Sequence, residues 1–156
     1  MAHHGTSSLV GKLVTELEVH CDPEKYYNIY KHHQEVPKAI PHLFTGCELL
    51  KGDGISSGSV KKWDFIIDGK PMSATLEATH TDETRTVHHR LFDGDLMKDY
   101  KKFDSILQAD PNPKGKGSIV SWSFVYEKRN EDSPAPFAYL PFVHQAIEDM
   151  SKYLCA

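Results

Sequence analysis

Residues 134 to 154 hold the one long helical pattern in this chain, whereas residues 43 to 127 read as strands. Within the terminal segment Val143, Ile147, Met150 and Leu154 recur at helical spacing, with Tyr139, Phe142 and Ala146 on a flank. A helix with one apolar face must lie on an apolar surface, and a run of strands supplies it. The pattern therefore predicts a curved sheet wrapped around a C-terminal helix. Ser133-Pro134 is a candidate start signal, because a hydroxyl caps free amides and proline suits a first turn. Pro141 cannot donate to a carbonyl four residues back, so the spacing predicts either a kink there or a helix that begins near Tyr139.

A chain of 156 residues is expected to form a single domain over 1–156 with a substantial core. Its net charge of −4 is spread over both signs and offers no polybasic field, so neither nucleic acid nor an anionic membrane is an expected partner. No apolar run reaches the length of a membrane span, and residues 1 to 8 lack the order of a secretion signal. Cys21, Cys47 and Cys155 make an odd count without metal-like spacing. That favours a reducing, cytoplasmic setting over a disulfide framework. Cys155, one residue from the terminus, is the expected exception: an exposed thiol there would couple two copies on oxidation, giving a monomer or a disulfide-linked homodimer.

The first strand is expected over residues 9 to 19, with Leu9, Leu13, Leu17 and Val19 on one face. Asp22-Pro23-Glu24 opens a helix whose aromatic side is Tyr26, Tyr27 and Tyr30. Pro37 and Pro41 keep the next turns brief, so two short helices in a V are expected. Six strands come next, over 43–50, 59–67, the Met72 to Ala78 segment, the Val87 to Leu91 segment, 100–109 and the Val120 to Tyr126 segment. They are separated by the glycine-rich stretch 51–58, Asp68-Gly69, Asp82-Glu83, a longer connection from Asp93, and the loop 110–117. One strand, two short helices, six sequential antiparallel strands and a closing helix make an α+β pattern.

Several chemistries can be weighed. The stretch 51–58 lacks the Gly-Lys-Ser/Thr and succeeding helix of a Walker loop, and Ser57 stands where a dinucleotide fingerprint wants glycine, so it reads as a tight turn. The ten histidines include neighbours such as His32-His33 and His88-His89, but strand neighbours leave opposite faces, and no metal is expected. His89 falls on the apolar face with Val87 and Leu91, either as a core histidine satisfied by one hydrogen bond or as an acid/base. The large aromatics Tyr30, Trp63, Phe65, Phe103, Trp122, Phe124, Tyr139 and Phe142 all fall inward by periodicity. Periodicity alone does not separate a filled core from a hollow one, and a filled core is the commoner outcome.

Particular words in the chain carry a resemblance. Ser8-Leu9-Val10-Gly11-Lys12, Cys21-Asp22-Pro23-Glu24-Lys25-Tyr26-Tyr27, Gly52-Asp53-Gly54, Gly58-Ser59-Val60-Lys61, Gly94-Asp95-Leu96-Met97, Tyr100-Lys101-Lys102-Phe103-Asp104, Tyr126-Glu127-Lys128, Asn130 to Pro134 and His144-Gln145-Ala146 resemble the major latex proteins. These are a branch of the plant pathogenesis-related class-ten, birch-pollen-allergen-like family, and the match is most similar to opium-poppy latex members. The resemblance implies a helix-grip fold: a seven-stranded antiparallel sheet curved around the terminal helix and closed by the two short ones. It also implies a large internal cavity, no cofactor, and a small hydrophobic or cationic-aromatic ligand such as a benzylisoquinoline alkaloid. With parity, it points to Tyr30, Trp63, Phe65, Met72, His89, Leu91, Phe103, Trp122, Phe124, Tyr139, Phe142, Val143 and Ala146 as lining, with Val36 near the opening. Relatives include an alkaloid isomerase and a synthase, so turnover through His89 is an alternative to binding, and lipid, sterol or hormone carriage is another. Related condensing enzymes use a lysine on the last strand, and Ser118 to Tyr126 has none.

Overall fold

The computed structural model describes residues 9–155. Seven strands form one antiparallel sheet: β1 (Val10–Val19), β2 (Phe44–Lys51), β3 (Ser59–Ile67), β4 (Lys70–Thr81), β5 (Thr86–Gly94), β6 (Tyr100–Pro111) and β7 (Ser118–Lys128). Their spatial order is β1-β7-β6-β5-β4-β3-β2, so the six later strands meander and β1 joins the far edge beside β7. Two short helices, α1 (Pro23–Lys31) and α2 (Val36–Ala39), come after β1, and α3 (Leu140–Cys155) closes the chain. This is the sheet around a terminal helix that the pattern predicts and the helix-grip fold that the resemblance implies; β3 matches its expected bounds, and β4 to β7 run up to three residues past the ends that alternation marks.

Local chemistry accounts for each boundary. The Asp22 carboxylate accepts from the amides of Glu24 (3.1 Å) and Lys25 (3.3 Å), capping α1 ahead of Pro23. Asp68 and Gly69 both take positive φ, 51° and 75°, the geometry of a tight hairpin between β3 and β4. Ser133-Pro134 does not start the last helix. A 3₁₀ turn spans Pro136–Tyr139 and α3 begins at Leu140, which leaves Pro141 in the first turn where its missing donor costs nothing. Of the two outcomes open for Pro141, the later start is the one observed.

The inner face of the sheet and the apolar side of α3 share one core. Val143, Ala146, Ile147 and Met150 of α3 are fully buried, as are Tyr26 and Tyr27 of α1. The Tyr26 hydroxyl donates to the Ile147 carbonyl (3.3 Å), and the Lys25 ammonium donates to that of Leu154 (2.7 Å), so α1 is pinned along α3.

A second pin corrects an expectation. Cys155 is disulfide-bonded to Cys21, with Cα atoms 5.6 Å apart and a sequence separation of 134. The thiol expected to couple two copies is spent within one chain, because the last turn of α3 packs on the start of α1. With that pair bonded and only Cys47 free, the cysteine count no longer speaks for a reducing compartment.

One position tests the sheet directly. Gly94 ends β5 at φ 113°, next to the register shift at Thr75/Leu76, and a Cβ there would run into the Ser73 carbonyl oxygen. Gly94→Ala is expected to destabilise the fold by roughly 2 kcal/mol or more, read as a lower urea midpoint. An unchanged midpoint would show that the bulge relaxes freely.

Candidate functional site

Between the sheet and α3 lies an apolar cavity of about 90 Å³. Parity puts it there: odd-numbered residues of β3 and β5 point inward, and Trp63, Phe65, Ile67, Val87, His89 and Leu91 all line it. Phe103 and Leu107 of β6, Trp122 and Phe124 of β7, Tyr139 at the end of the 3₁₀ turn, and Phe142 and Val143 at the start of α3 complete most of the wall. Tyr30 of α1 meets Trp122 edge-on, with centroids 5.7 Å apart. Phe142 packs on Phe44 (5.3 Å) and Phe65 (5.8 Å), and Phe103 on Phe124 (5.2 Å) and Tyr139 (6.3 Å). Such tilted and edge-on contacts make a continuous aromatic lining.

Three expected lining residues lie elsewhere. Val36 and Ala146 are fully buried but face the core rather than the void. Met72 lines a shallow depression on the other side of Phe65 with Asp64 and Asp95. Phe44, Ile67, Leu76, Val87, Leu96, Ser105 and Leu107 line the void without having been expected there. For Ile67, Leu76, Val87 and Leu107 the signal is inward parity, the same that marks Phe65, Leu91 and Phe103. The cavity is also much smaller than the large one implied by resemblance. Sites that enclose drug-sized ligands run to roughly 300–1,000 Å³, so a polycyclic guest must displace aromatic side chains.

The polar features are few. The Trp122 indole donates to the Ser105 hydroxyl at 2.7 Å. The Tyr30 hydroxyl, the Trp63 indole nitrogen and His89 Nε2 are shielded and have no hydrogen-bond partner among the described residues. Burial lowers the His89 pKa to about 3, helped by the positive field of Lys61 and by the neighbouring His80, His88 and His33. At neutral pH the ring is therefore uncharged and a weak base. The single satisfying hydrogen bond expected of a core histidine is absent at Nε2. No group of three or more His, Cys, Asp or Glu is placed to hold a metal among the described residues. No helix among them is long and apolar enough to cross a membrane.

Lys61 enters the sequence reasoning only as part of the word Gly58-Ser59-Val60-Lys61 and is given no role there. It stands two places before Trp63 on the inward face of β3 and is fully buried, while Lys62 beside it is exposed.

Comparison with known proteins fits this geometry. Major latex protein 146 of Papaver somniferum is 53% identical over 157 aligned residues, covering 100% of this chain and 99% of that protein. MLP-like protein 43 of Arabidopsis thaliana is 35% identical, covering 96% of each. The crystal structure of ginseng major latex-like protein 151 from Panax ginseng superposes with a TM-score of 0.89 at 28% identity, over 95% of this chain and 99% of that one. The sheet gripping a terminal helix is shared with that solved structure, and the family model described as pathogenesis-related protein Bet v 1 family matches residues 8–156. The chain belongs to the Bet v 1 family of pathogenesis-related proteins, in the company of the major latex proteins.

Proposed function

We propose that this protein binds flat, hydrophobic plant metabolites of the benzylisoquinoline type in its interior cavity, for storage, transport or pathway support. The observation that carries the reading is the lining itself, in which both tryptophans of the chain, Trp63 and Trp122, stand among stacked phenylalanines and tyrosines. Withdrawing apolar ligand surface from water into such a wall yields about 25 cal/mol per Å², and aromatic faces add orientation. The ligand class is the one that the resemblance to opium-poppy latex members implies, and the chain is 53% identical to one such major latex protein. His89 does not favour turnover, because a ring with a pKa of about 3 has little affinity for a proton at neutral pH.

Since every tryptophan lines the cavity, a bound planar alkaloid such as papaverine is expected to quench most of the intrinsic fluorescence and to raise the melting temperature. Absence of both effects across several alkaloids would refute the proposal. Phe142→Ala removes the ring that closes on Phe44 and Phe65, and is expected to lower stability by about 1–3 kcal/mol. The same change should tighten binding of the bulkier ligands, read as a lower Kd in the quenching titration.

A further inference from the structure

Behind His89, which lines the cavity, lies a set of buried nitrogen atoms without hydrogen-bond partners among the described residues. Lys61 is fully buried, and its ammonium has no hydrogen-bond partner among the described residues. His33 Nδ1, His80 Nε2 and His89 Nε2 are likewise shielded and unpartnered. These groups come from four places: Lys61 from β3, His80 from β4, His89 from β5 and His33 from the 3₁₀ turn ahead of α2. The glycine-rich loop roofs them. A Cβ on Gly54 would press on the His33 ring, and the Ile55 carbonyl sits 2.6 Å from His80 Nδ1. The cluster also touches the void, since His89 lines it and Lys61 is paired across the sheet with Leu76, another lining residue.

Among the described residues no carboxylate pairs with this charge. Asp53, the nearest acid by its influence on Lys61, is held by its own loop through the amides of Ile55 (2.9 Å) and Ser56 (2.7 Å) and the Ser56 hydroxyl (2.8 Å). Cys47 on β2, paired across the strands with Trp63, is a neutral thiol within the field of Lys61, its pKa pushed by burial up to about 12. Burying an ammonium without an acceptor is costly, and so is each unpaired polar atom beside it.

We infer that the Lys61 end of the cavity is a receptor for an acidic oxygen, a carboxylate or phenolate carried on the apolar body of the ligand. This deepens the cavity-binding reading and rests on it. It also sets a polarity: a ligand's ammonium must lie away from Lys61, and its acidic oxygen toward it. At neutral pH the Lys61 ammonium is the charged member of the cluster, since burial holds His33 at a pKa of about 4, His89 at about 3, and His80 below the ordinary imidazole value. Burial also brings Lys61 down to about 8.

The test uses three probes of one shape: 2-naphthoate, its neutral carboxamide and 2-naphthylmethylammonium, titrated by calorimetry. At pH 6.5 the acid is expected to bind at least about ten-fold more tightly than the amide, and the ammonium most weakly. The margin should shrink as the pH passes about 8 and Lys61 loses its proton. Lys61→Met should bind acid and amide alike while melting no lower than the parent, since it removes an unpaired buried charge. Equal binding of acid and amide by the parent protein overturns the inference and leaves the cavity reading intact, with ordered water as the satisfier of the cluster. Persistence of the preference in a folded Lys61→Met variant overturns it as well. Failure of all three probes to bind refutes the cavity reading and the inference together.

Discussion

Reducing the Cys21–Cys155 disulfide is expected to lower the melting temperature by roughly 10 °C. The bond closes a loop of 134 residues, nearly the whole chain. In the chain-entropy account a crosslink of that span removes on the order of 4–5 kcal/mol of freedom from the unfolded ensemble. The reduced protein should still fold, because the Tyr26 and Lys25 hydrogen bonds and the buried face of α3 hold the same junction. A Cys21→Ser/Cys155→Ser double variant is expected to melt where the reduced parent does. On a non-reducing gel the oxidised protein should run as a monomer, with Cys47 slow to alkylate because burial pushes its thiol up to about 12. A parent protein whose melting is indifferent to reductant, or a covalent dimer lost in Cys155→Ser, would contradict this pairing.

Acidification from pH 6.5 to 4.5 is expected to remove stability on the order of 3 kcal/mol. In the unfolded chain each imidazole takes up its proton near pH 6.5. In the folded protein burial delays protonation to about pH 4 at His33 and about pH 3 at His89, and lowers His80 in the same direction. Between those values the unfolded state binds more protons, so stability falls as the pH falls. Carboxylates act in a lower window: Asp53, held by the Ser56 amide and hydroxyl and the Ile55 amide, titrates at about 2. Lys61 reverses nothing; with its pKa at about 8 against an unfolded value near 10.4, it makes the protein gain stability as the pH rises between them. Urea midpoints measured from pH 4.5 to 7 check the slope. His89→Phe should flatten it, and an identical slope in that variant would remove His89 from the account.

Much of this protein is legible in its sequence, and the reason is the regularity of burial. Alternation in Ser59 to Ile67 marks an inward face because successive strand side chains leave opposite sides, and Asp68-Gly69 marks a hairpin because two positive φ angles are needed there. The same parity holds the signal for Lys61, but a lysine is ordinarily a solvent residue, and an inward row counted by its aromatics begins only at Trp63. Val36, Ala146 and Met72 fall off the cavity wall for a different reason. Parity tells which way a side chain leaves its own element and says nothing about which of several inward neighbours meets the void.

The periodicities in the chain thus determined by themselves the element order, the antiparallel meander and the aromatic interior, since each is set by contacts local in sequence or by a repeating face. The tertiary structure alone decided three things. It brought Cys21 to Cys155, it contracted the cavity to about 90 Å³, and it gathered Lys61, His33, His80 and His89 without an acceptor. Each depends on how closely segments far apart along the chain approach, and no repeat or spacing in a sequence encodes that distance.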